Sequence, residues 1–238
     1  MSAAAQWARL LARPGVLEGV TINDDFTDRT SDVPAILRAR RPAWVGIQEG
    51  KREDYADLLE DARYGVEQRM TTAATRGVAL VYDRHQVRAV GTTVDQPRRI
   101  GRGYQQLTPA GHGILARGVV WQDACVRGPL GRRRRVRIAS THRHPKRARA
   151  MWPDFDDALD QWLAASPLPV WLVGDFNEGP NPRGLHFRGR KQLMGIDGHV
   201  ITGRLQWRLA ARRLAWRTSD HRGVAALVRI PRLPRRNR

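Results

Sequence analysis

The ten residues Trp171–Pro180, WLVGDFNEGP, decide how this chain is read. With Val170 just upstream, the apolar residues Trp171, Leu172 and Val173 run into Gly174, after which Asp175 and Asn177 stand two apart around Phe176. A continuous apolar run bounded by turn residues reads as a strand covered on both faces. Side chains at i and i+2 share one face of extended chain, so Asp175 and Asn177 point at one spot, while Phe176 packs the other way and Glu178 leaves their face. Gly, Asp and Asn also suit a plain turn after a strand. What separates the two readings is what the rest of the chain places beside them.

Upstream, Arg134 to Thr141 reads as a strand with His142 at its tip and His144 and Pro145 beyond. Trp152, Phe155, Leu159 and Trp162 then fall at helical spacing within residues 149–165, a core-facing helix. Strand, helix and strand in this order make a crossover unit that delivers His142 and Asp175 to neighbouring strand ends. The same grammar occurs near the N-terminus. VLEGVTIN (Val16 to Asn23) is a strand ending in Asn23, Thr30 or Ser31 caps a helix running to about Ala39, and Trp44 to Ile47 runs into Gln48 and Glu49. Glu49 then emerges beside Asn23; alternatively it opens a helix over residues 51–62, whose N-terminal dipole favours a carboxylate.

Further strands are expected over Tyr64 to Arg69, Gly77 to Tyr82, Gln86 to Thr93, Leu115 to Trp121 and the terminal GVAALVRI. Residues 97–114, rich in Gly, Arg and Gln, read as a loop on which Tyr104 offers a ring to a base. Pro129 and Gly131 supply a turn, and Arg132, Arg133, Arg134 and Arg135 put four positive charges on its exit. That run is either a phosphate-gripping loop or a hairpin whose charge resists edge pairing.

The chain of 238 residues, 41% hydrophobic, suits one domain of generous size. The organisation expected is an accessory segment over residues 1–15, the main domain over 16–230 and a basic tail over 231–238. A net charge of +19 favours a polyanionic partner, nucleic acid first. Lys51, Lys146 and Lys191 are the only lysines among the 42 basic residues; the arginines suit bidentate phosphate contacts. Cys125 is the single cysteine, which excludes an internal disulfide or a thiolate metal cluster. Arg9 and Arg13 break the N-terminal apolar run, so no signal peptide or membrane span is expected, and the reading is a cytoplasmic monomer.

The polar groups at the strand ends are Asn23, Glu49, His142, Asp175, Asn177, Asp197, Asp220 and His221. Glu49 with Asp220, or with Asn23 and Asp175, can hold a hard divalent cation, and oxygen ligands without thiolate suit Mg2+ or Mn2+. A histidine with a carboxylate partner suits proton transfer near neutral pH.

In this order the motifs resemble the endonuclease/exonuclease/phosphatase superfamily, the group of deoxyribonuclease I. The matching pieces are Asn23, the QE of VGIQEG, the TH of ASTHRHP, GDFN, the ID of GIDGHV and the terminal SDH, spanning residues 17 to 230. The resemblance implies an α/β fold, a two-sheet β-sandwich flanked by helices in four layers. It also implies Mg2+-dependent hydrolysis of a phosphoester. Carried over, Glu49 is the main metal ligand with Asn23 and Asp220 nearby. Asp175 orients or deprotonates the attacking water, Asn177 binds the phosphate, His221 pairs with Asp197, and His142 serves the leaving-group side. Arg76 departs from the pattern, standing where a glutamate partner for His142 is expected. A nuclease acting on DNA is the leading expectation; a phosphatase or phosphodiesterase of a small or lipid phosphate, or a non-catalytic nucleic-acid-binding protein, are the alternatives.

Overall fold

In a computed structural model the described residues are 2–24, 33–50, 58, 60–69, 77–109, 116–127, 133–178, 185–203, 205–214 and 223–230. Helix α1 (Ala3–Leu11) precedes β1 (Val16–Asn23), α2 (Val33–Arg40), β2 (Trp44–Gly50), β3 (Tyr64–Arg69) and β4 (Gly77–Asp83). The short β5 (Val87–Ala89) and β6 (Thr92–Thr93) lead into β7 (Gly101–Thr108), β8 (Arg117–Arg127) and β9 (Arg133–His142). A 3-10 turn over Lys146–Met151 opens α3 (Trp152–Ala165), which Pro153 starts in its first turn. The chain closes with β10 (Val170–Asp175), β11 (Arg190–Leu193), β12 (Asp197–Ile201), β13 (Gln206–Arg213) and β14 (Val224–Arg229).

Two mixed sheets result. The first has the order β13-β14-β1-β2-β4-β3; the second runs β11-β12-β10-β9-β8-β7-β6, with β5 on β8. Both expected crossover units are present, β1 lying parallel to β2 and β9 parallel to β10. Alternation along the strands sorts the side chains into layers. Leu17, Trp44, Ile138, Trp171, Val173 and Ile201 fill the space between the sheets. On the outside of the first sheet, α1 and α2 bury Trp7, Leu10, Ile36 and Leu37. Outside the second, α3 buries Phe155, Leu159 and Trp162 against Trp121 and Leu172. The result is the four-layer sandwich expected, closed by shape: a Cβ on Gly46 would lie 2.1 Å from Val173 Cγ2. The sheets approach there because β2 has no side chain to hold them apart.

Two expectations change. Residues 97–114 were expected as a loop, yet Gly101–Thr108 is a full strand paired with β8. Its glycines are strand residues at a close approach, since a Cβ on Gly103 would meet Val94 O at 2.4 Å and Trp121 Cζ2 at 2.6 Å. The run Gln86 to Thr93 divides into two short strands, with Gly91 between them at φ 81°. Helix α1 packs Trp7 and Leu10 against the first sheet, the Trp7 indole donating to the buried Glu18 carboxylate at 2.9 Å. Residues 51–57 of the expected helix lie outside the described residues. Among those described, no helix is long and apolar enough to cross a membrane.

His199 illustrates how polar groups are accommodated between the sheets. Fully buried, it accepts from Trp171 Nε1 at Nδ1 (3.1 Å) and donates from Nε2 to Val224 O (2.9 Å), tying β12 to β14. Burial pushes its pKa down to about 4, against the hydrogen bond to Val224. The folded group therefore stays neutral while the unfolded one, near 6.5, takes up a proton first. Stability from this site is complete above pH 6.5 and falls as pH drops toward 4. Between pH 7 and pH 5 the loss from this residue is about 2 kcal/mol, and chemical denaturation of the wild type beside His199→Gln will show a shallower pH slope in the variant.

Candidate active site

Five strands converge on one edge of the sandwich. Parity places Asn23 on the inter-sheet face of β1, in line with Leu17, and Asp175 on that of β10, in line with Trp171 and Val173. In the second sheet Asp175 stands opposite His142 on one side and Asp197 on the other, a single row across β9, β10 and β12. The two sheets meet at this row. Asn23 Nδ2 donates to Asp175 Oδ2 at 3.2 Å, and His142 Nε2 lies 3.4 Å from the same oxygen. Asp175 Oδ1 accepts from the Asn177 backbone N–H at 2.8 Å.

Glu49 joins them against its parity. Gln48 faces inward from β2, so strict alternation sends Glu49 outward. Instead the strand bulges between Gln48 and Gly50, Glu49 takes φ 58°, and its carboxylate comes within 3.7 Å of His142 Nε2. A bulge re-aims one side chain at the cost of a left-handed backbone that a non-glycine residue rarely adopts. Glu49→Gly is therefore expected to gain up to about 1 kcal/mol in denaturant unfolding while activity is lost. Unchanged activity in that variant would remove Glu49 from the site.

Beneath this row lies a buried polar bridge. Thr21 Oγ1 donates to Gln48 Oε1 (3.1 Å), Gln48 Nε2 to Ser140 Oγ (2.9 Å), and Ser140 Oγ to Ile47 O (3.2 Å). It links β1 and β2 to β9 one step below Asn23, Glu49 and His142, and so sets their separation. Its sequence trace is slight: Gln48 belongs to the QE motif and Ser140 precedes the TH, while Thr21 belongs to neither.

The corner after β10 is held by Arg143. Its backbone N–H donates to Asp175 O (2.9 Å), and its carbonyl accepts from Asn177 Nδ2 (2.9 Å). Its buried guanidinium donates to Asp156 of α3 (2.6 Å), lies 4.1 Å from the centre of the Trp152 ring and 3.5 Å from Glu178. Asn177, at φ 50°, thus commits one of its two amide hydrogens to the protein. Sequence reading missed Arg143, because a buried arginine shows no periodicity.

Arg117, at the start of β8, was also missed. It is 7% exposed, and its charge lies close enough to depress both site histidines. Burial chiefly, then Arg117, pulls the His142 pKa below its usual value, with Asp175 and Glu49 opposing; the imidazole leans neutral. His144 is pushed down to about 4 by burial first and then Arg117, and its Nε2 lies 2.6 Å from Thr108 Oγ1. His142 thus finds two carboxylates among the described residues, although Arg76 lies outside them.

Asp220, His221 and Arg132 also lie outside the described residues, so the expected pairing of His221 with Asp197 is not visible; Asp197 itself is buried at 2% exposure in the row beside Asp175. Tyr104, expected on a loop, sits on β7 with its ring packed on the inter-sheet core. Arg133, Arg134 and Arg135, expected as a loop exit, are the first residues of β9. They begin the strand that His142 ends, roughly 30 Å away at about 3.3 Å per residue.

The profile of the Endonuclease/Exonuclease/phosphatase family matches residues 17–230. The chain belongs to that family. Solved structures agree in fold. The human Nocturnin catalytic domain with bound sulfate aligns with a TM-score of 0.63 at 15% identity, covering 91% of this chain and 95% of that one. A functionally unknown conserved protein from Enterococcus faecalis V583 aligns at 0.68 and 16% identity, covering 89% and 99%. D. rerio TDP2 complexed with single strand DNA product aligns at 0.65 and 12% identity, covering 90% and 99%. No curated protein matches the chain in sequence. The endonuclease/exonuclease/phosphatase family is one of phosphoester hydrolases, and its enzymes generally use divalent metals.

The residues fit such a metal in kind. Glu49 and Asn23 bring a carboxylate and a carboxamide to one edge, and with Asn23 Nδ2 given to Asp175 its oxygen is the atom that would face a cation. Among the described residues no group of three or more His, Cys, Asp or Glu side chains forms a complete cage.

Proposed function

We propose that this protein is a divalent-metal-dependent phosphodiester hydrolase, a nuclease acting on DNA. The observation that carries the reading is the meeting of Asn23 and His142 on one oxygen of the Asp175 carboxylate, at 3.2 Å and 3.4 Å, with Glu49 3.7 Å from the same His142 nitrogen. Mg2+ or Mn2+ held by Glu49, Asn23 and Asp220 would neutralise charge on the phosphate. Asp175, fixed by three donors, is an acceptor that positions a water and takes its proton. Asn177 offers its amide to a phosphate oxygen, and His142 serves the leaving-group side. His221 with Asp197 completes the set, as the family resemblance implies. Fixed dipoles aimed at developing charge suit the loss of a phosphoester bond. DNA is favoured by the charge of +19 and by the single strand DNA product in the TDP2 relative of similar fold.

The test is purified protein on supercoiled plasmid with Mg2+ or Mn2+, beside EDTA and Asp175→Ala. Nicking that both controls abolish is expected. Absence of nicking with either metal, together with phosphate release from a small ester, would replace the nuclease reading by a phosphatase one.

A further inference from the structure

Arg133, Arg134 and Arg135 do not act as one patch, because β9 alternates. Val136 and Ile138 face the inter-sheet core, so Arg134 points inward and is half-buried, while Arg133 and Arg135 face outward and are exposed. The register extends their row. Arg135 stands opposite Cys125 of β8, which stands opposite Arg88 of β5; two residues on, Arg133 stands opposite Arg127. Directly opposed residues share a face, so Arg88, Arg127, Arg133 and Arg135 surround Cys125 on the outer face of the second sheet. All four are exposed. None of the four guanidinium groups has an ion pair or hydrogen bond among the described residues.

Like charges directly opposite each other on neighbouring strands weaken a sheet, so the Arg127–Arg133 pair costs stability in the free protein. Charge that served only to block edge pairing would work as well with mixed signs. Four guanidiniums of one sign gain their counter-charge from a polyanion, with release of its condensed counterions.

We propose that these four arginines form a second nucleic-acid-binding surface that grips the phosphate backbone of the DNA substrate remote from the scissile bond. This rests on the nuclease reading for the identity of the polyanion. The patch lies at the opposite end of β9 from His142, about 30 Å along the strand, so duplex must extend beyond about nine base pairs to occupy both. Short substrates engage the active site alone; long ones are held at two points.

The sole cysteine lies within the row and reports on it without any substitution. In EDTA, with a 30-base-pair duplex shown by anisotropy to be bound, alkylation of Cys125 by N-ethylmaleimide is expected to slow at least about five-fold. Changing Arg88, Arg127, Arg133 and Arg135 together to Gln should lower the slope of log affinity against log salt by about 3 to 4 and abolish the protection. Full-rate alkylation in the bound complex, or a wild-type salt slope in the variant, overturns the proposal. So does protection by anionic vesicles but not by duplex. The two readings fail separately. Protection without plasmid nicking sinks the nuclease and leaves the surface; nicking with an unchanged salt slope does the reverse.

Discussion

Asp175→Asn is expected to lower the turnover of a phosphodiester by about 10^2- to 10^4-fold with little change in KM, the range for removing one positioned acid–base group. The substitution keeps volume and shape. Asn177 N–H still finds an oxygen where Oδ1 stood, so the corner after β10 keeps its hydrogen bond. At the other atom an amide donor would replace an acceptor. It would then face Asn23 Nδ2 at 3.2 Å and His142 Nε2 at 3.4 Å, donor against donor. The site thereby loses its proton acceptor and the group that orients two neighbours. The measurement is steady-state kinetics with circular dichroism as a check on folding. A variant within two-fold of wild type would show that Asp175 is a structural acceptor only.

The largest stability effect is expected far from this edge. Arg137 and Asp123 are both fully buried, on the outer face of the second sheet, joined at 2.6 Å and 2.8 Å. Arg137 also donates to Arg99 O at 2.8 Å and lies 5.3 Å and 5.7 Å from the Trp121 and Trp162 ring centres, while Asp123 accepts from Gly101 N at 2.9 Å. This pair anchors the segment before β7 to the sheet. Asp123→Ala leaves a guanidinium buried without its counter-charge and should cost about 3 to 5 kcal/mol. Arg137→Met with Asp123→Leu removes both charges and should recover much of that loss, because an apolar pair avoids the desolvation penalty. Urea unfolding of the single and double variants makes the comparison. Equal destabilisation in both would mean that the carbonyl contacts of Arg137, not its charge pairing, hold the segment.

Much of the site was legible because strand periodicity is local. Asn23, His142 and Asp175 each end an apolar run, whereas Asp197, the first residue of β12, came only from the order of the motifs; the strand register then sets all four on the inter-sheet face. Glu49 was expected beside Asn23 or at a helix start, but how it turns to the site against the parity of β2 was not legible, because its aim depends on a bulge in the pairing with β4. Glycines were read as loop signals over residues 97–114, where close approach to Val94 and Trp121 makes them strand residues. Four consecutive arginines looked like one feature, and the pleat of β9 sorts the three described ones, Arg133, Arg134 and Arg135, to two faces.

The chain's own pattern was enough for the two crossover units, the order of the motifs and the shared face of Asp175 and Asn177. These depend on neighbours one to four residues apart, where period and turn chemistry act directly. Contacts between distant segments settled the rest: Asn23 against Asp175, Arg143 under Asn177, Arg117 beside the histidines, and Arg88 and Arg127 joined to Arg133 and Arg135. No local periodicity encodes which residue of one strand faces which of another. That register is chosen by the packing of the whole sandwich, where a slip of one residue would turn every side chain of a strand to the wrong face.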